Sequence, residues 1–222
     1  MLIQYFGVIM KKNYFLLLLF GIIAAVALNS CASTETTSFS DPDFRGKKYD
    51  NICVYAETSD LEWKDYIEKV MVNCLKDEGI NAIQGSFLFP PTREWNDGQI
   101  EQTLRDKGLD GYILITIESQ KVDEKYVPGE VVTEKKGETK KKKDSSEVYV
   151  ETTTTKVKEG RVEKEYHTVF NTKLVDVASS RIAWTATSKS NSGEIFGKGF
   201  MPIFDSYASN ITETLKEDGH IK

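Results

Sequence analysis

The stretch NICVYAETSDLEWKDYIEKVMVNCLKDEGINAIQG, residues 51–85, determines the fold of this chain. Its first six residues are a short apolar run rich in β-favouring side chains, which predicts a buried strand. Apolar side chains then recur at helical spacing between the capping-box pair Ser59 and Glu62 and a helix-ending Gly79. Residues 80–85 predict a second strand, so the segment indicates a β-α-β unit with a right-handed crossover.

A second helix and a third strand follow this unit. Residues 87–95 hold apolar side chains around a Pro-Pro pair, which indicates an ordered loop. Asn96 and Gln99 repeat the capping-box spacing, and an apolar stripe then predicts a short helix that ends at Gly108. Residues 111–117 form another apolar strand. Up to this point the chain alternates strands and helices, which is typical of α/β folds.

The carboxyl-terminal half has a different pattern. Residues 121–146 show almost no apolar periodicity, and we interpret them as a mobile insert. Thr- and Val-rich runs at residues 148–157, 162–177 and 181–190 predict an antiparallel β-meander. Apolar residues at helical spacing over residues 203–215 predict a closing amphipathic helix. The expected fold class is therefore α/β (α+β), with helices packed on a single mixed β-sheet, in the order β-α-β-α-β, then β-meander, then α.

The amino terminus has the order of a secretory signal. Lys11 and Lys12 precede an apolar run of about 14 residues, and small polar residues follow it. A membrane-spanning helix needs about 20 apolar residues, so a permanent transmembrane anchor is the second interpretation. The two lysines also make Met10 a better start than Met1. Residues 1–30 are therefore predicted to be a signal peptide.

The end of this signal resembles the lipobox of bacterial lipoproteins. Leu28 stands three positions before Cys31, and the small Ser30 stands just before it. The resemblance implies that Cys31 is lipidated and becomes the mature amino terminus, anchored by its acyl chains. A plain secretory signal with an incidental cysteine is the alternative. By similarity to enterobacterial sorting, Ala32 implies the outer membrane, at its periplasmic face or at the cell surface.

The composition fits one folded domain after the signal. The chain has 222 residues, of which 40% are hydrophobic and 28% charged, as in ordinary soluble proteins. Residues 31–48 differ, since they are rich in Ser, Thr, Asp and Pro and predict a flexible tether. A single α/β domain is expected over residues 49–222. The net charge of −5 argues against nucleic acid as a partner.

Residues with catalytic or metal-binding chemistry are few. The two histidines, His167 and His220, have no partner at a spacing typical of a metal site or a catalytic dyad. Recognisable nucleotide, nucleophile and zinc motifs are also missing from the sequence. We therefore expect no catalytic, cofactor-binding or metal-binding residues and no cofactor. Cys53 and Cys74 would form a disulfide if both faced the interface of strand and helix, and buried free thiols are the alternative.

An aromatic loop is the best candidate for a partner surface. Residues 87–95, FLFPPTREW, include Phe87, Phe89 and Trp95. Exposed apolar patches of this kind mark interaction sites. The same side chains would equally serve to cover one end of the sheet, and the sequence leaves both interpretations open.

Several motifs together resemble a known group of proteins. The strand-helix unit of residues 51–85, LDGYIL at residues 109–114 and KLVDVASSRIAW at residues 173–184 are similar to small bacterial outer-membrane lipoproteins. More loosely, they resemble the α/β domain shared by the curli-assembly lipoprotein, the amino-terminal domain of the Tol translocation protein and the lipoprotein activators of peptidoglycan synthases. The motifs, an Asp at a turn and a Trp on a strand, imply a fold and no particular chemistry.

These patterns predict a membrane-anchored envelope lipoprotein. Its α/β domain, in the periplasm or at the surface, is expected to act as a non-enzymatic binding or assembly accessory module. The expected partners are the membrane, through the lipid anchor, and another envelope protein or cell-wall component. The alternative is a cell-wall-directed hydrolase or transferase with paired carboxylates, since acidic residues are abundant.

Overall fold

The structure is a computed structural model that describes residues 32–141, 147–193 and 199–222. Of residues 134–141 and 147–152 it describes the backbone alone. The predicted signal peptide and the predicted lipidation site, Cys31, lie outside the described residues.

The described residues form two compact units. The main unit contains residues 32–122 and 165–222, and the hairpin unit contains Asp123–Lys164. The sequence predicts one domain over residues 49–222. The difference arises because the segment that we interpret as a mobile insert forms paired strands.

A six-stranded mixed sheet is the centre of the main unit. The strands of the described residues are, in chain order, β1 Ser33–Ser40, β2 Asn51–Glu57, β3 Asn81–Gln84, β4 Gly111–Val127, β5 Glu130–Lys141, β6 Glu147–Lys158, β7 Arg161–Asp176 and β8 Arg181–Gly193. The order across the six-stranded sheet is β1-β8-β7-β4-β2-β3. β2 is parallel to β3 and β4, whereas β8 is antiparallel to β1 and β7. The predicted α/β fold class is confirmed.

Helices cover both faces of this sheet. They are α1 Leu61–Asp77, α2 Gly85–Leu88, α3 Asp97–Asp106 and α4 Met201–Glu217. α1 and α4 pack over the larger core on one face, and α3 packs over a smaller core on the other. The two crossovers, from β2 to β3 and from β3 back to β4, run in opposite directions across the sheet. Because such crossovers are right-handed, their helices lie on opposite faces.

Side chains at the helix ends explain where α1 and α3 begin. Asp60 caps α1, accepting two backbone N–H groups of the first turn at 3.0 Å. The sequence predicts Ser59 as the cap, which is wrong by one residue, because a carboxylate one position later serves equally well. The predicted capping box of Asn96 and Gln99 is confirmed at α3, with reciprocal hydrogen bonds of 2.9 and 3.1 Å.

The predicted flexible tether is wrong, since residues 33–40 form β1. β1 pairs with β8 along its whole length, from Ser33 opposite Asn191 to Ser40 opposite Trp184. The first strand of the described residues therefore begins at Ser33, the second residue after Cys31.

Hydroxyl groups hold β1 in place instead of apolar side chains. The hydroxyl of Thr34 is 2.8 Å from that of Ser190 on β8 and 2.9 Å from that of Ser206 on α4. The hydroxyl of Thr36 is 2.7 Å from that of Ser188. A search for apolar periodicity misses a strand of this kind, because its polar groups find partners only in the folded chain.

The hairpin unit contains a second sheet of two antiparallel strands. β5 pairs with β6, from Glu130 opposite Lys158 to Lys141 opposite Glu147. The predicted mobile insert is therefore wrong over its described residues, and residues 142–146 lie outside them. Backbone pairing does not require apolar periodicity, and the Thr- and Val-rich β6 supplies a partner with high β-propensity. The predicted meander is correct for β7 and β8, but β6 pairs with β5.

Trp184 and Asp110 belong to the two motifs, at residues 173–184 and 109–114, on which the resemblance to bacterial lipoproteins rests. Trp184 is fully buried, and its Nε1–H donates to the carboxylate of Asp218 at 2.7 Å. Asp110 precedes β4 and accepts the backbone N–H of Asn51 at 3.0 Å, which fixes the start of β2. Both contacts stabilise the fold.

Asp176, the third motif residue, closes the turn between β7 and β8. Its carboxylate accepts the backbone N–H and the hydroxyl of Ser179, at 3.0 and 2.6 Å, and pairs with Lys47. Burial alone would raise the pKa of Asp176, but the hydrogen bonds from Lys47 and Ser179 outweigh it and lower that pKa. The carboxylate therefore stays ionised and holds the turn.

Candidate functional site

A cleft lies on the α3 side of the main sheet. Its volume is about 860 Å³, which falls in the range of about 300–1,000 Å³ typical of ligand pockets. α3 has ten residues, so it covers only part of this face. Side chains of β2, β4 and β7 therefore remain facing the cleft.

Alternate side chains of neighbouring strands form the floor of the cleft. Tyr55 of β2, Tyr112 and Leu114 of β4 and Val175 of β7 line it, and all four are half-buried. Successive side chains of a strand point to opposite faces. Ile113, between two floor residues, is accordingly fully buried in the larger core.

Gly85 allows the chain after β3 to pass close to this floor. A Cβ atom at this position would lie 2.8 Å from the ring of Tyr55 and from the carbonyl oxygen of Val54. The backbone N–H of Phe89 donates to the carbonyl of Gly85 at 2.7 Å. This bond fixes the buried Phe89 at the inner wall, where its ring meets that of Tyr55 edge-on at 6.4 Å.

Trp95 forms the outer wall. Its ring contacts that of Phe89 edge-on, with centroids 5.3 Å apart, and its Nε1–H donates to the carbonyl of Pro90 at 3.3 Å. The guanidinium carbon of Arg93 lies 4.2 Å from the centroid of the Trp95 ring. These contacts hold the indole at the cleft while leaving it partly exposed.

Two of the three predicted partner-surface residues line the cleft. Phe89 and Trp95 do, whereas Phe87 is 71% exposed and is not part of the lining. Sequence reasoning missed the tyrosines of the floor, Tyr55 and Tyr112. The signal that could have found them is the period-two alternation of their strands, which places a polar-tipped ring on the face opposite the larger core.

The rim of the cleft carries most of its charge. Glu57, Glu94, Asp97 and Glu101 belong to the lining, together with one basic residue, Arg93. Aromatic walls beside several carboxylates suit non-covalent binding of a ligand that has both apolar and polar parts.

A buried ion pair lies behind the floor. The carboxylate of Glu68 accepts the backbone N–H of Ala56 at 3.1 Å and that of Ser86 at 2.9 Å, and it is 3.1 Å from the ammonium of Lys64. Lys64 also donates to the carbonyl of Ala56 at 2.5 Å, and its Nζ is 3.3 Å from the centroid of the Tyr55 ring. The pair thus joins β2, α1 and α2 beneath the cleft.

Both cysteines within the described residues are free thiols. Cys53 packs in the smaller core on the α3 side, and Cys74 packs against the larger core on the opposite face of the sheet. The disulfide considered from the sequence is therefore not formed, because the sheet separates the two residues. Burial raises the pKa of the Cys53 thiol to about 12, so this thiol is protonated at neutral pH and is a poor nucleophile.

The two histidines lie in separate places. His167, on β7, has its Nδ1 at 2.8 Å from the side-chain oxygen of Asn191. His220 is fully buried, with the hydroxyl of Ser40 at 2.8 Å from its Nε2 and the ring of Tyr49 at 6.3 Å. Burial lowers the pKa of His220, although a backbone hydrogen bond at Lys47 and the charge of Asp218 oppose this effect.

The burial of His220 predicts a pH-dependent stability. The pKa of His220 is lower in the folded chain than the ordinary 6.5, so protonation favours the unfolded chain. The stability that is present above pH 6.5 is therefore lost as the pH falls from 6.5 through the folded pKa. We expect the free energy of unfolding to fall less between about pH 7.5 and 5.5 in His220→Gln than in the wild type.

Urea titrations at the two pH values measure this difference. His167→Gln is the matched control, since it removes the other histidine, on β7. An equal loss of stability in the wild type and in His220→Gln would contradict the prediction.

Within the described residues, no group of three or more His, Cys, Asp or Glu side chains is arranged to hold a metal ion. The helices of the same residues include none that is long and apolar enough to cross a membrane.

Comparison with known proteins gives remote structural similarity alone. No family model and no curated protein sequence matches the chain. The PelC dodecamer from Paraburkholderia phytofirmans is 14% identical with a TM-score of 0.43, over 85% of this chain and 99% of that chain. A PDZ domain protein from Parabacteroides distasonis is 12% identical with a TM-score of 0.31, over 87% of this chain and 38% of that chain. Similarity at this level carries no functional argument.

Proposed function

We propose that the protein is a membrane-anchored envelope lipoprotein whose α/β domain binds another envelope component in the cleft, as a non-enzymatic accessory module. The observation that carries this proposal is the set of half-buried aromatic and aliphatic side chains on the floor. Apolar surface left open beside ordered polar groups is typical of a binding site.

The position of β1 bears on how the anchored domain would work. β1 begins at Ser33, so Ala32 alone separates it from Cys31. Two residues span at most about 7 Å. A lipidated Cys31 would therefore keep the domain close to the membrane surface, where an envelope partner would meet it.

The chemistry of the cleft favours binding over catalysis. Its walls are held by ring contacts, and its rim supplies carboxylates and one guanidinium. Beneath the floor, the thiol of Cys53 is buried and protonated at neutral pH. These groups can orient and retain a ligand without forming a bond to it.

Recovery of a partner from detergent-solubilised envelopes tests the binding. We expect the tagged wild type and Phe39→Ala to recover the same protein or cell-wall fragment, and Trp95→Ala to recover about tenfold less. Phe39 is the matched control because it is a 64% exposed aromatic residue on β1, outside the cleft lining. Equal recovery with Trp95→Ala, while its thermal midpoint stays near that of the wild type, would contradict the proposal.

Metabolic labelling with a palmitate analogue tests the anchor. We expect label on the wild type and none on Cys31→Ser, because the thioether forms on that sulfur. Label that persists in Cys31→Ser, or a wild type without label, would show that the protein is held in the envelope in another way or not at all.

A further inference from the structure

The cleft has an excess of negative charge at its rim. Four lining residues are acidic, Glu57, Glu94, Asp97 and Glu101, and one is basic, Arg93. Carboxylates grouped around one cleft sum to a negative potential that attracts cations, and salt screens this attraction.

Most of this charge is not neutralised within the chain. Glu101 lies 3.4 Å from Arg105, but both side chains are nearly half exposed, which makes the pair weak. Glu57 accepts a hydrogen bond from the hydroxyl of Thr116 at 3.3 Å. Over the described part of the chain, Glu57, Glu94 and Asp97 have no lysine or arginine at ion-pair distance.

The aromatic rings of the cleft already bind cations of the chain itself. The guanidinium of Arg93 lies over the Trp95 ring at 4.2 Å, on the outer wall. The ammonium of Lys64 lies over the Tyr55 ring at 3.3 Å, beneath the floor. A cation placed over the face of an aromatic ring is attracted by the negative charge of that face. One ring of the wall and one of the floor thus already contact a guanidinium and an ammonium group of the chain.

Arginine and lysine side chains match both the apolar walls and the acidic rim of the cleft. Their aliphatic stems cover apolar surface while the charged end reaches polar groups, and guanidinium also stacks on aromatic rings. An anionic polymer would meet the rim carboxylates and be repelled. A volume of about 860 Å³ is large enough for neighbouring side chains as well as the cation.

We infer that the cleft binds a basic segment of a partner polypeptide, with an Arg or Lys side chain between Trp95 and the rim carboxylates and an apolar neighbour on the floor. This inference rests on the proposed function and names the chemistry of its partner. Arg93 occupies the Trp95 ring in the free protein and moves aside when the segment binds.

Fluorescence anisotropy with labelled peptides tests the inference on the full-length protein in detergent micelles. The probe is acetyl-Ala-Arg-Leu-Arg-Ala-amide, and the comparison peptide carries citrulline in place of each arginine. We expect the arginine peptide to bind at least about tenfold more tightly than the citrulline peptide. We also expect the affinity of the arginine peptide to fall when the salt concentration is raised from about 0.05 to 0.5 M.

Two matched variants locate the effect. The rim variant, Glu57→Gln with Glu94→Gln and Asp97→Asn, is expected to weaken arginine-peptide binding about tenfold. The control variant, Glu62→Gln with Glu213→Gln and Asp77→Asn, makes the same chemical changes on α1 and α4 and is expected to leave binding unchanged. Equal weakening by both variants would overturn the inference, because it would report net charge alone.

Arg93→Gln gives a result that a structural role would not. The substitution removes a charge of the same sign as the peptide and frees the Trp95 ring, so we expect the arginine peptide to bind about threefold more tightly or better.

Equal binding of both peptides, no binding of either, or equally tight binding of free arginine amide would overturn the inference. Recovery of an envelope partner through Trp95 would still stand in each of these cases, so failure here is distinguishable from failure of the proposed function.

Discussion

Replacing Glu68 with alanine is expected to lower the free energy of unfolding by about 3–5 kcal/mol. The substitution leaves the ammonium of Lys64 buried without its carboxylate, and it removes the acceptor of the Ala56 and Ser86 backbone N–H groups. An uncompensated buried charge and two unsatisfied donors are each costly. Urea denaturation followed by circular dichroism measures the change.

Glu62→Ala is the matched control for this substitution. It removes the same side chain from an exposed position in the first turn of α1, where a change of about 0.5 kcal/mol is usual. A loss below about 1 kcal/mol in Glu68→Ala would contradict the role of the buried pair. Lys64→Met combined with Glu68→Ala is expected to recover part of the loss, because no unpaired charge then remains.

Trp184→Ala is expected to cost about 3–5 kcal/mol of unfolding free energy, the second large effect. The indole is fully buried in the larger core beside α4, so its removal leaves a cavity that the surrounding helix and sheet can fill only in part. Trp184→Phe retains most of the volume and loses the hydrogen bond to Asp218, so we expect a smaller cost.

Ile182→Ala is the control on the same strand. Ile182 is 45% exposed, and its truncation is expected to change the unfolding free energy by about 0.5 kcal/mol. If Trp184→Ala and Ile182→Ala cost the same, Trp184 does not contribute to the core in the way that its burial indicates.

The elements that the sequence predicts correctly are those with local signals. The helix after β2 has an apolar stripe and a capping residue, and the helix at Asn96 has a reciprocal capping box, so both can be recognised within a few residues. β1 has no such signal, because Thr34 and Thr36 are satisfied by hydroxyls more than 150 positions away in the sequence. In the hairpin unit the sequence predicts the Thr- and Val-rich strand β6 but misses β5, because the residues of β5 lack apolar periodicity.

The candidate site likewise contains residues that the sequence singles out and residues that it misses. Phe89 and Trp95 belong to one aromatic loop, and the sequence singles them out. The floor, with Tyr55 and Tyr112, is assembled from strands more than 50 residues apart, paired in parallel. Taken alone, each strand has the apolar pattern of a buried strand. The short helix α3 leaves part of the sheet face above Tyr55 and Tyr112 uncovered.

The pairing of β1 also decides how the protein would respond to force. Once the proposed anchor is attached, a pull on it would enter the described chain at Ser33, the first residue of β1. Under a pull along the axis of β1, the eight residue pairs that join β1 to β8 would share the load in shear. A first strand loaded in this way would help the domain to keep its shape under tension.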